Sequence, residues 1–169
     1  MVRKMLALDE AVLVFLLRWR SRGATALMRA FTRLGDASSW VLTALAMMCA
    51  GGAAVRPGLL IGVAAGLAAL FSQALKRVCR RARPTTGIAG FTAVMENPDV
   101  FSFPSGHTAA AFAVALALAG AIPGGGFFVA LAFCVALSRV YLGAHYPLDV
   151  AAGAVLGTLA GAITRMVIL

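Results

Sequence analysis

Residues 59–75 read Leu-Leu-Ile-Gly-Val-Ala-Ala-Gly-Leu-Ala-Ala-Leu-Phe-Ser-Gln-Ala-Leu, and they run without a break into Lys76-Arg77-Val78-Cys79-Arg80-Arg81-Ala82-Arg83-Pro84. The apolar run is seventeen residues long and uncharged. That suits a helix crossing a hydrocarbon core of about 30 Å with little tilt. Fixed charges at such a boundary are costly to bury and are therefore functional candidates. Working outward, similar apolar segments occupy residues 38–55, 106–122, 127–143 and 147–168. Pro57, Pro123-Gly124-Gly125-Gly126 and Pro147 punctuate them, as helix ends require. A polar loop of residues 84–104 separates the second segment from the third.

The whole composition agrees. The 169 residues are 62% hydrophobic and 12% charged, with mean hydropathy +0.93. A soluble domain of this length would carry far less apolar sequence. The pattern predicts an all-α integral membrane bundle of about five transmembrane helices, in a single domain spanning residues 1–169. Residues 1–36 differ from the rest. Val12, Phe15, Leu16 and Trp19 share one helical face beside Arg18, Arg20 and Arg22, and Leu27, Met28, Phe31 and Leu34 repeat the pattern beside Arg29 and Arg33. This predicts amphipathic helices lying at the membrane interface, ahead of the bundle of residues 38–169.

A net charge of +9 raises nucleic-acid binding, but the basic residues flank apolar segments without an aromatic platform, so a lipid surface is the expected partner. Cys49, Cys79 and Cys134 are isolated, which argues against a disulfide framework or zinc site. Asp9, Glu10 and Arg18 interrupt the first apolar stretch, against a cleaved signal. Gly62-x3-Gly66 and Gly153-x3-Gly157-x3-Gly161 read as close-packing rows, with the last helix central.

Three polar blocks carry the chemistry. Lys76 and Arg83 are seven residues apart; if the helix continues past Lys76, they share a side. Arg83 offers a planar fork for phosphate oxygens and Lys76 a point charge, whereas Arg77 and Arg81 read as positive-inside anchors. Pro104-Ser105-Gly106-His107 stands where the loop becomes a helix. There Ser105 is an N-cap and Gly106 leaves room for an anion at the free N–H groups. Ser138-Arg139, His145 and Asp149 form the third block. His145 can attack phosphorus if Asp149, four residues on, holds its other ring nitrogen. The basic groups would neutralise the transferring phosphoryl group, and His107 is the spare acid–base group for a leaving alkoxide. His107, His145 and Asp149 as metal ligands is an alternative that no H-E-x-x-H or carboxylate cluster supports. With alternating spans, all three blocks fall at one membrane face. Phe91, Phe101 and Phe103 are entrance or anchor candidates.

In the order K-x6-R-P, P-S-G-H and S-R-x5-H-x3-D, these blocks resemble the signature of the type 2 phosphatidic-acid phosphatase superfamily at every position, over residues 76–149. The resemblance implies a membrane enzyme that hydrolyses lipid phosphates through a phosphohistidine, without metal or other cofactor. It implies His145 as nucleophile, Asp149 as its orienting partner and His107 as general acid. Lys76, Arg83, Ser105, Gly106 and Arg139 would hold the phosphate. Expected substrates are phosphatidic acid, phosphatidylglycerol phosphate, polyprenyl diphosphate or a polyprenyl-phosphosugar phosphate. A lipid phosphotransferase or a non-catalytic lipid-phosphate carrier is the alternative. Many bacterial relatives have an extra first helix, and five spans rather than six are expected here. Residues 1–36 carry seven basic and three acidic residues, which places the site on the cytoplasmic face of a bacterial inner membrane.

Overall fold

Proline and glycine mark most helix boundaries. The computed structural model describes residues 2–88, 93–94 and 99–169, with side chains from residue 6 onward except at 87. The helices are α1 (Val2–Leu17), α2 (Arg22–Leu34), α3 (Ala37–Ala50), α4 (Val55–Cys79), α5 (Pro84–Gly87), α6 (Gly106–Leu118), α7 (Gly126–Tyr141) and α8 (Pro147–Ile168). A 3-10 turn, Gly52–Ala54, leads into α4. Among the described residues the only β pairing is one antiparallel bridge, Ala82 to Phe101.

Two stretches are long and apolar enough to cross a membrane, Gly52–Cys79 and Pro147–Ile168. α3, α6 and α7 are apolar but shorter, at 14, 13 and 16 residues. The expected third segment stops at Leu118 because Ala119 leaves the helix and Gly120 takes a φ of 73°. The fourth stops at Tyr141, just before Gly143 at a φ of 74°. Conversely, α4 begins at Val55 and takes in Arg56-Pro57, since proline is tolerated in a first helical turn.

Side-chain size is distributed inside-out. Ala109, Ala110, Ala111, Ala113, Ala115 and Ala117 of α6 are all buried, while Leu42, Leu70, Phe133, Val155 and Leu159 face outward. Small residues let helices approach, and the large apolar ones cover the rim, as a lipid solvent allows. α6, not α8, is the central helix, packed against α4, α7 and α8. The row Gly153, Gly157 and Gly161 does make a close contact. A Cβ at each would collide with the carbonyl oxygens of Ser105, just before α6, and of Ala109 and Ala113 on it. The Gly62 and Gly66 row behaves differently. A Cβ at Gly62 would meet only Ala44 Cβ, at 3.6 Å, and one at Gly66 would meet nothing within 4 Å.

The N-terminal helices stay at one end of the bundle. Leu148 N–H donates to Asp9 Oδ1 of α1 at 2.9 Å, and Arg20 Nε donates to the Tyr141 carbonyl at 3.1 Å. Arg29 Nη2 of α2 donates to the Val94 carbonyl at 3.1 Å. All these partners lie where α7 ends and α8 begins, or in the loop beside them.

Candidate active site

The ends of four elements converge there. Lys76 comes from the last turn of α4, His107 from the first turn of α6, Arg139 from the last turn of α7, and His145 from the loop before α8. Together with Arg83 and Gly106 they line one end of a cavity of about 280 Å³. Its other end is apolar, with Trp40 and Val41 of α3 facing Gly62, Ala65, Gly66 and Ala69 of α4. Gly66 is therefore cleft wall rather than a packing contact.

Lys76 and Arg83 meet, but not along one helix. α4 ends at Cys79, and Arg80 turns the chain with a left-handed φ of 45°. Arg80 is exposed, outside the site. Arg83 returns as the residue before α5, where its Nε donates to the Asp99 carbonyl at 2.6 Å and its Nη1 to the Ala144 carbonyl at 2.8 Å. The same Nη1 lies 3.3 Å from His145 Nε2. A phosphoryl group held by Arg83 would thus sit beside this ring nitrogen.

His145 is 1% exposed. Burial, followed by the charges of Arg139, Arg83 and Lys76, holds its pKa well below the ordinary imidazole value. The ring is therefore neutral at physiological pH, with a lone pair for attack. Its Nδ1 lies 3.6 Å from Asp149 Oδ2, within ion-pair reach but longer than a hydrogen bond. Asp149 is itself fully buried and doubly held. Tyr146 N–H donates to Oδ2 at 3.0 Å and Arg81 Nη1 to Oδ1 at 2.7 Å. Arg81, expected to be a surface anchor, is thus tied to the Asp149 carboxylate.

His107 Nε2 lies 2.6 Å from Asp36 Oδ1, at the start of α3. The Asp36 carboxylate thus fixes the orientation of the His107 ring. Arg139 Nη1 donates to Thr32 Oγ1 of α2 at 2.5 Å. Gly106 leaves room beside Lys76, whose Nζ would be 3.8 Å from a Cβ at that position. Ser105 precedes α6, but its hydroxyl makes no capping bond; it accepts from Thr108 Oγ1 at 3.0 Å, and its N–H donates to the Asp149 carbonyl at 2.9 Å. Neither Ser105 nor Asp149 lines the cavity.

Asp99 was not anticipated. Its carboxylate accepts a hydrogen bond from Lys76 Nζ and lies 4.0 Å from Arg83 Nη2. An acidic side chain thus sits on the two cations expected to hold phosphate. Asp9, Asp36, Arg81 and Asp99 escaped the sequence reading because their partners are distant in sequence and no local spacing marks them. Phe101 and Phe103 do not line the cavity, and Phe91 lies outside the described residues. Among the described residues, no three His, Cys, Asp or Glu side chains form a metal-ligand set.

Comparison with known proteins identifies the family. The family model for the PAP2 superfamily matches residues 57–168. A decaprenylphosphoryl-5-phosphoribose phosphatase of Mycobacterium tuberculosis is 36% identical over 146 residues, covering 86% of this chain and 81% of that protein. The crystal structure of LpxE from Aquifex aeolicus superposes with TM-score 0.79 at 25% identity, covering 93% of this chain and 94% of that one. A transmembrane PAP2 type phosphatidylglycerolphosphate phosphatase from Bacillus subtilis gives TM-score 0.79 at 26% identity, covering 97% and 86%.

Proposed function

This chain belongs to the PAP2 superfamily of phosphatases, and on that premise we propose that it removes a terminal phosphate from a lipid-linked sugar phosphate through a phosphohistidine at His145. The observation that carries this reading is the cavity itself. Lys76, Arg83 and Arg139 surround His145 at one end, and an apolar cleft between α3 and α4 leads away from it. A phosphate can sit at the first end while the attached chain lies toward the bilayer. The sugar phosphate is chosen because the relative from Mycobacterium tuberculosis, matched over most of both chains, acts on such a lipid.

The chemistry follows from the residues. His145 Nε2 donates its lone pair to phosphorus, and the P–O bond to the sugar breaks with its electron pair leaving on oxygen. His107 protonates that oxygen. A water molecule then attacks phosphorus and gives its proton to His107, and the P–N pair returns to His145. The transition-state charge on the phosphoryl oxygens is met by Lys76, Arg83 and Arg139, a preorganised electrostatic contribution that is commonly the largest in such reactions. Asp149 stabilises the positive charge that His145 acquires. Gly106 lets the phosphate approach the first turn of α6, and Ser105 shapes that turn.

We read residues 38–169 as one bundle of five spans, with α1 and α2 at the interface on the cytoplasmic side of a bacterial inner membrane. The basic excess of residues 1–36 supports that side. An impermeant thiol reagent on intact cells tests it, comparing native Cys79 at the site end with Gly126→Cys at the far end, all other cysteines replaced. Gly126 has space for a side chain, whereas a Cβ at Gly125 would lie 2.6 Å from the Leu118 carbonyl. Labelling at Cys79 alone would reverse the assignment.

Catalysis is tested by phosphate release in detergent, with chelator present, from a panel of polyprenyl-phosphosugar phosphate, polyprenyl diphosphate, phosphatidic acid and phosphatidylglycerol phosphate. The sugar phosphate should give the highest kcat/KM, and His145→Ala should abolish turnover. Activity retained in His145→Ala would refute the phosphohistidine.

A further inference from the structure

We propose that Asp9 and Arg81 are positioning residues for catalysis, acting on His145 through Asp149; this rests on the reading of His145 as nucleophile. Arg81 is held on three sides. Its Nη1 donates to Asp149 Oδ1 at 2.7 Å, its Nη2 to Asp9 Oδ2 at 2.5 Å, and its guanidinium lies 4.0 Å from the centroid of the Tyr146 ring. Asp9 is 3% exposed, and its other oxygen accepts from Leu148 N–H in the first turn of α8. One carboxylate from the N-terminal helix therefore clasps both the arginine and the helix that carries Asp149.

Geometry gives this clasp its first role. Asp149 could rotate about its Cβ–Cγ bond if only one oxygen were held. With Arg81 on Oδ1 and Tyr146 N–H on Oδ2, its plane is fixed and Oδ2 faces His145 Nδ1. Among the described residues, His145 Nδ1 is buried with no hydrogen-bond partner. A contraction of the 3.6 Å separation is all that is required to supply one.

Charge supplies the second. Asp149 and Arg81 alone would form a neutral pair, poorly suited to stabilising a positive imidazole. Asp9 adds a further negative charge, so the three groups together carry a net charge of minus one. The carboxylate facing His145 then keeps its electrostatic value while gaining a rigid support. Outer partners of metal-binding histidines are commonly worth a factor of about 10–100, and an effect at the lower end of that range is expected for a histidine that attacks phosphorus. α1 is on this account part of the active site.

The test separates positioning from simple attachment of α1. Asp9→Asn keeps the shape and an acceptor for Leu148 but removes the charge. Arg81→Lys keeps the charge but loses the fork that spans two carboxylates. Both should lower kcat about tenfold with KM unchanged, and the rate of phosphoenzyme formation in rapid-quench experiments should fall by the same factor. Leu13→Ala is the control for attachment, since Leu13 is fully buried against Val140 and Tyr146 without any charge. It should lower the melting temperature and leave kcat in place. Wild-type kcat in both Asp9→Asn and Arg81→Lys overturns the proposal, as does a kcat loss in Leu13→Ala equal to theirs. If Asp9→Asn fails to fold, Arg81→Lys and Leu13→Ala decide between the same outcomes. His145→Ala, run alongside, isolates failure of the underlying mechanism: activity there sinks the nucleophile, whatever Asp9 does.

Discussion

Replacing Asp99 with Asn should make the enzyme bind free phosphate more tightly. The Asp99 carboxylate occupies the cations that an incoming phosphate must use, with Lys76 Nζ bonded to Oδ2 and Arg83 Nη2 at 4.0 Å from the same oxygen. Its side chain is 41% exposed, so each ion pair is worth only about 0.5–1 kcal/mol after screening. Two such pairs amount to about 1–2 kcal/mol, which phosphate must overcome in the wild type. Removing the charge should therefore lower the inhibition constant of inorganic phosphate about 5–30-fold. The Asp99 carbonyl still receives Arg83 Nε at 2.6 Å, so the loop keeps a backbone anchor in the variant. Burial acts to raise the pKa of Asp99, but Lys76 and then Arg83 outweigh it and hold the carboxyl below its ordinary value. The group is consequently ionised across pH 5–8, and the ratio between variant and wild type should be flat over that window. Phosphate inhibition of lipid-phosphate hydrolysis, measured for both proteins at several pH values, reads the effect. An inhibition constant that stays the same or rises in Asp99→Asn would refute the reasoning, because it would mean the carboxylate does not compete with phosphate.

Gly157→Ala should lower the melting temperature in detergent by about 4–8 °C, the equivalent of about 2 kcal/mol of overpacking against the Ala109 backbone; Gly66→Ala, which meets nothing within 4 Å, should lower it by less than about 2 °C. Equal losses in the two variants would contradict the different roles given to the two glycine rows. His145 should also write itself into the pH dependence of stability. Its native pKa is lowered, so below the unfolded value of about 6.5 the unfolded chain takes up a proton that the native ring refuses. Stability contributed above that pH is lost as the pH falls, and the melting temperature of the wild type should drop more steeply between pH 7.5 and 5.5 than that of His145→Asn. Parallel slopes would count against a buried, neutral imidazole.

The parts of this molecule that a reader of its sequence can find are those fixed by local spacing. Lys76, Arg83, His107, Arg139, His145 and Asp149 sit at helix ends, and alternating apolar segments bring those ends to one side. That much needs only periodicity and the cost of burying charge. The route by which Arg83 reaches Lys76 was not legible, because it depends on the left-handed turn at Arg80. Asp9, Asp36 and Asp99 were not legible either. Each finds its partner at least 23 positions away in the chain, and nothing in a short window says which acidic residue will be drawn inward. The two glycine rows make the same point. Gly62-x3-Gly66 and Gly153-x3-Gly157 look alike as text, yet one borders a cleft and the other presses on a backbone, because what lies opposite differs.

The pressing of α8 onto α6 has a mechanical consequence. His107 opens α6, and His145 and Asp149 flank the start of α8, so the two histidines sit at the ends of a pair of helices pressed together at three glycines and joined again by the Ser105 N–H to the Asp149 carbonyl. Lys76 belongs to α4, and Arg83 to the turn after it, outside that locked pair. On the proposed mechanism, the separation of the two histidines is then set by that backbone contact rather than by the side chains that would hold the anion.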